Sequence, residues 1–230
     1  MATGGASREW DAQAENINCG SDSSLDNIFA TGGSVVLWGR AESYGSGGVY
    51  GRYITKGGLG WMIYNYEDSG SRRFEFLIYR DTDYDSWDSS VYDLSANTWF
   101  HIACIFDESD GAGTAVPTCY VNGALETMNS RTSGTGGFAS DAAIDLLIGN
   151  RTGSDRGFDG QIAHVSLYTK ELTAAEVQTL MYKPNAIVDS RSAYWPLWGV
   201  DSPELDLSGN GNSGTVTGAS VSTDGPPIFI

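Results

Sequence analysis

Residues 97–107 read NTWFHIACIFD and set the tightest limit on the fold. Side chains alternate from face to face along a β-strand. Phe100, Ile102, Cys104 and Phe106 therefore point one way, and Trp99, His101, Ala103 and Ile105 the other. Both sets are largely apolar, so the strand is expected to be central and covered on both sides.

Shorter alternating runs surround it: residues 34–43, 49–56, 58–68 and 72–81, then 118–125, 144–150 and 160–169. In residues 160–169, alternation sets Ala163, Val165 and Leu167 against Ile162, His164 and Tyr168. Asn122-Gly123 predicts a hairpin, because a type I′ turn needs two residues at positive φ. Lys56-Gly57-Gly58 predicts a tight turn. One helix is expected over residues 172–181. Thr173 and Glu176 have capping-box spacing, Leu172, Val177, Leu180 and Met181 form the apolar stripe, and Pro184 ends it. A short helical turn is expected near Ser24–Phe29. Residues after Pro184 still contain strand-like YWPLW and GTVTGASVS. About a dozen short strands with one helix indicate an all-β antiparallel sandwich or jelly roll. One domain is expected over 1–230, with 184–230 packing back on the sandwich.

Formal net charge is −16, from 13 basic and 29 acidic residues. Such a surface repels phosphate, which argues against nucleic-acid partners and anionic membranes. No segment has the length of a membrane span, and the first residues lack the basic start and apolar stretch of a signal peptide. Cys19, Cys104 and Cys119 make an odd number, so free thiols are expected. A Cys104–Cys119 bridge between neighbouring strands is the alternative.

Five stretches occur in an order that resembles the laminin G-like jelly roll of the concanavalin A-like lectin/glucanase fold. They are NTWFHIA (97–103), CYVNG (119–123), LLIGN (146–150), FDGQIAHVSLY (158–168) and ELTAAEV (171–177). The resemblance implies a recognition module. In DLSGNGNSGTVTGAS (206–220) it also implies a strand closing the sheet beside the N-terminal segment.

Glucanases of this fold use E-x-D-x-x-E on one strand, and the chain lacks it. Glu204 and Asp206 start such a motif, but Ser208-Gly209 follows, within a loop-like stretch. His101 and His164 lie within strands and read as sheet histidines. Nucleophile-elbow, zinc-protease and phosphate-loop motifs are missing. A non-enzyme is expected.

RDTDYDSWDSS (80–90) places Asp81, Asp83 and Asp85 at alternate positions, as a calcium loop can begin. An EF-hand would then need Gly and Glu where Ser86 and Tyr92 stand. These three aspartates are the metal candidates, with calcium as the ion, against a solvated rim. Asp107, Glu108 and Asp110 read as solvated. Sugars pack their C–H faces on exposed rings. Tyr84, Trp87 and Trp61 are the ligand-binding candidates, with Tyr44 in reserve; Trp38 and Trp99 read as packing residues.

A recognition fold without an export signal leads first to a non-catalytic decoration protein of a phage virion. It would be made in the host cytoplasm and act on the virion surface. Its partners would be other virion proteins or copies of itself in a homo-oligomer. The alternative is a carbohydrate-binding or adhesion module for cell-surface glycans, cytoplasmic or exported by a non-classical route. A glycoside hydrolase or lyase comes third.

Overall fold

The computed structural model describes residues 6–45, 50–68, 70–90, 94–110, 115–199 and 201–228. Val49, in the strand expected at 49–56, lies outside these residues. Two antiparallel eight-stranded sheets pack face to face. Sheet A contains β1 (Ser7–Trp10), β3 (Gly33–Ala41), β8 (Phe100–Phe106), β9 (Thr118–Val121), β10 (Ala124–Glu126), β13 (Gly160–Tyr168), β14 (Arg191–Trp195) and β16 (Ser220–Ser222). Sheet B contains β2 (Asn16–Asn18), β4 (Arg52–Thr55), β5 (Trp61–Asp68), β6 (Ser71–Tyr79), β7 (Tyr84–Ser89), β11 (Met128–Thr132), β12 (Leu147–Ile148) and β15 (Thr215–Thr217). Sheet A runs β10-β9-β8-β3-β13-β1-β16, with β14 also on β13. Sheet B runs β11-β7-β6-β5-β4-β12-β2-β15.

The core lies between the sheets. Phe100, Ile102, Cys104 and Phe106 of β8 meet Trp61, Phe74, Phe76 and Trp87 of sheet B. Ala103 and Ile105 point out of the sandwich under α1 (Ala174–Tyr182), against Val177 and Leu180. The central strand is thus covered on both faces, as its two apolar sides require. Each fully buried Val or Leu contributes about 2 kcal/mol of transfer free energy. Thr173 caps α1: its hydroxyl accepts from the Glu176 N–H while the Glu176 carboxylate accepts from the Thr173 N–H at 2.8 Å. The expected turn near Ser24–Phe29 is a 3-10 turn over Ser23–Leu25.

Backbone geometry explains two motif glycines. Asn122 and Gly123 adopt φ of 50° and 76°, as the β9–β10 hairpin demands. Gly149 of LLIGN is at φ 81°, and a Cβ there would lie 2.0 Å from the Trp10 indole nitrogen.

Phase along β13 differs from simple alternation. His164 is at φ 51°, and the register with β3 shifts between Ala163 and Ser166. This bulge resets the alternation. Ile162 joins Val165 and Leu167 in the core, whereas Ala163 faces outward beside Trp38.

The C-terminal segment enters both sheets. β14 pairs with β13, β15 with β2 and β16 with β1. Cys104 and Cys119 are direct cross-strand partners, both buried free thiols, and the Cys119 S–H donates to the Cys104 sulfur at 3.3 Å.

Candidate functional site

The outer face of sheet B carries a polar groove of about 380 Å³. Strand register builds its floor. Arg52 lies opposite Tyr64, Tyr64 opposite Glu75, and Glu75 opposite Asp88, so one row crosses β4 to β7. A second row places Met62 opposite Leu77 and Leu77 opposite Ser86. Tyr50, Tyr79 and Tyr84 pack around Met62, Tyr64 and Leu77, giving the floor an aromatic patch. Tyr79 and Tyr84 are tilted together at 5.9 Å, and Tyr50 meets Tyr64 edge-on at the same distance. Tyr50 is at φ 80°, where a bulky residue is strained, and such strain gathers at functional sites.

Arg52, Arg131, Arg151 and Arg156 line this groove. They are four of only 13 basic residues in the chain, so positive charge is concentrated here. At one end, Arg131 spans Glu75 (3.7 Å) and Asp88 (3.4 Å), and Arg73 also reaches Asp88 at 3.5 Å. At the other end, Arg151 forms a two-pronged pair with Asp155, both bonds 2.7 Å. That bond holds the Arg151 guanidinium above its ordinary pKa and brings the exposed Asp155 carboxyl down to about 2. The Arg52 guanidinium carbon lies 4.1 Å from the Tyr64 ring centre. Only 7% of Arg52 is exposed, and its Nε and Nη1 have no hydrogen-bond partner. Burial, with Arg151 and Arg156 nearby, lowers its pKa to about 10. It therefore remains a cation at neutral pH.

The residues marked out in the sequence do not assemble into one site. Tyr84 lines the groove. Trp87 does not: only 3% exposed, it points into the core against Phe76 and Phe106. Trp61 is likewise interior, 5.3 Å edge-on from Phe29. These two corrections share a cause, since both indoles occupy inward positions of their strands. Tyr44 lies under the Arg72 guanidinium.

The aspartates also separate. Asp81 and Asp83 are exposed, on the turn before β7. Asp85 is 1% exposed and faces inward, where Arg80 donates to it from Nε at 2.8 Å and the Gly134 N–H donates at 2.5 Å. Arg80 also pairs with Glu108, which is 8% exposed rather than solvated. The side chain of Asp110 lies outside the described residues. Alternation along β7 sends Asp85 inward with Trp87, whereas Asp81 and Asp83 precede the strand, so the three do not share one face. Among the described residues, no three His, Cys, Asp or Glu side chains gather as metal ligands.

Carboxylates of the glucanase-like fragment act as scaffolding. Glu204 pairs with Arg8, and Asp206 accepts from the N–H groups of Tyr194, Ser208 and Asn212. His101 is fully buried, and neither ring nitrogen has a partner. A second, more apolar concavity lies between His164, Tyr194, Trp198 and the end of α1. His164 Nδ1 lies 2.9 Å from the Tyr194 hydroxyl there.

The arginine groove was not foreseen. Its four cations come from β4, β11 and the loop before β13, a hundred residues apart. Only their scarcity in an acidic chain marked them.

Residues 15–178 match the laminin G model of the concanavalin A-like lectin/glucanases superfamily, and the chain belongs to that family. Its fold is similar to that of a Bacteroides ovatus protein for which carbohydrate binding is inferred. The TM-score is 0.71 at 16% identity, over 99% of this chain and 62% of that one. It is also similar to a heptameric pentraxin from Limulus polyphemus, at TM-score 0.64 and 11% identity over the full length of both. No curated protein sequence matches the chain. Among the described residues, no helix is long and apolar enough to cross a membrane.

Proposed function

We propose that this protein is a non-catalytic carbohydrate-binding module that holds a glycan in the groove on the outer face of sheet B. One observation carries the reading: tyrosine rings and charged hydrogen-bonding groups converge in a concave site on a rigid sheet. Rings take the apolar faces of a sugar, and fixed polar groups read its hydroxyls. The Bacteroides ovatus likeness supports the same reading at the level of fold.

Hydrolysis fits less well. General acid–base work needs two carboxylates in different protonation states. Here Glu75 and Asp88 both pair with the one Arg131 guanidinium, so the two carboxylates share a setting instead of differing in it. The virion role expected from the sequence gains no support from the likenesses, and glycan recognition replaces it as the leading reading. Self-association stays part of the proposal, because the pentraxin of similar fold is heptameric.

A glycan array probed with the labelled full chain tests the proposal. Binding to a defined set of glycans, lost on Tyr84→Ala, is expected. An array on which nothing binds would sink it, as would turnover of a bound oligosaccharide for the non-catalytic part.

A further inference from the structure

We infer that Arg52 and Arg156 form a receptor for the carboxylate of an acidic sugar, so that the groove selects glycans carrying a uronic or sialic-type acid. This rests on the carbohydrate-binding reading above and narrows it.

Charge pairing around the groove leads to the inference. Every groove carboxylate is already engaged. Asp155 is held by Arg151, and Glu75 and Asp88 are held by Arg131. Arg52 and Arg156 have tyrosine rings beneath them and, among the described residues, no carboxylate partner. A guanidinium has five N–H donors. A nearly buried one with unmade hydrogen bonds costs the fold free energy. Arg52 has two such nitrogens. Both nitrogens are covered by protein atoms, so Arg52 offers an anion its uncompensated charge, while the partly exposed Arg156 offers the hydrogen bonds.

The backbones of the two residues are tied together, and both side chains line the groove. The Arg52 N–H donates to the Arg156 C=O at 3.1 Å. The Arg156 N–H in turn donates to the buried Asn150 amide oxygen at 3.1 Å. Their loop is therefore anchored before any ligand arrives, which limits the ordering cost of binding. A planar carboxylate matches the guanidinium fork and takes two parallel bonds. The pyranose ring bearing it would lie against Tyr84, which is half-buried at the groove. In a chain of net charge −16, two cations without a carboxylate partner among the described residues mark the place where an anion can approach closely.

Titration calorimetry with the full chain tests this. The probes are oligogalacturonates beside their methyl esters, sialyllactose beside lactose, and galactose-6-sulfate oligosaccharides. An ester keeps the ring and removes the charge. At least one carboxylated probe is expected to bind tenfold or more tighter than its neutral counterpart. Arg52→Met and Arg156→Gln should each bring that ratio towards one. Arg156 is partly exposed, so its variant keeps the test valid if Arg52→Met does not fold. Equal binding of acid and neutral forms overturns the inference, as does a ratio that survives both substitutions. Sulfated probes binding tighter than every carboxylated one overturn the choice of carboxylate. If only neutral glycans bind on the array, the inference falls and the carbohydrate reading stands. If no glycan binds, both fall.

Discussion

The Arg52 guanidinium carbon stands 4.1 Å from the centre of the Tyr64 ring, and neither Nε nor Nη1 of that arginine meets an acceptor. A cation left this way works against stability. Replacing a buried charge by an apolar side chain of similar volume is often neutral or stabilising. Arg52→Met is therefore expected to raise unfolding free energy by about 1 kcal/mol, measured by chemical denaturation. A loss of 2 kcal/mol or more would mean that the guanidinium is satisfied in the free protein.

Two aromatic residues of β7 should behave in opposite ways. Trp87 is enclosed by Phe76 at 6.1 Å and Phe106 at 5.4 Å. Trp87→Ala is expected to cost about 3–5 kcal/mol, or to prevent folding. Tyr84 is half-buried in the groove, so Tyr84→Ala should change stability by about 1 kcal/mol or less while weakening glycan binding. Thermal melts beside binding isotherms separate the two. A stable Trp87→Ala protein with lost binding would return the site to the sequence-based position.

Both histidines should make the fold sensitive to acid. Burial lowers the pKa of His101 to about 3 and of His164 to about 4. In the unfolded chain each titrates near its ordinary value of 6.5. Between these values the unfolded state binds more protons, so stability rises with pH. The contribution is complete above pH 6.5 and is lost as pH falls towards 4 and then 3. Denaturant titrations from pH 7 to 4 should show a decline of several kcal/mol. His101→Phe combined with His164→Phe should flatten that decline. An unchanged slope in the double variant would refute the assignment.

The C-terminal segment is expected to be integral to the sandwich. Arg8 Nε lies 3.1 Å from Glu204 Oε2, and both side chains are almost fully buried. Arg8 also donates to the carbonyls of Ala219 and Asp201. Breaking a buried pair leaves a lone charge, so Arg8→Ala should cost about 3–5 kcal/mol. Removing 184–230 should give a chain without a cooperative melt. A truncated protein that melts cooperatively would mark this segment as an accessory.

Much of the fold could be read from local pattern. The NTWFHIACIF strand, the Asn122-Gly123 hairpin and the Thr173–Glu176 cap depend on short-range rules, and each appears where its residues require. β13 departs from its pattern at one residue. A bulge at His164 reverses which neighbours are interior, and a bulge depends on the strands beside it.

The site followed the opposite course. RDTDYDSWDSS brings acid and aromatic residues together in sequence, but β7 divides them between two faces. Asp85 and Trp87 go to the interior, and Tyr84 remains at the groove. Alternation, hairpins and caps arise within a few residues, so the chain alone determines them, and with them a two-layer β architecture. The groove depends on strand order, which sets Arg52 beside Tyr64 and Glu75 and brings Arg131 and Arg156 to the same surface. Only the folded protein decides which of these charges find partners, because burial and pairing are properties of the packed sheets.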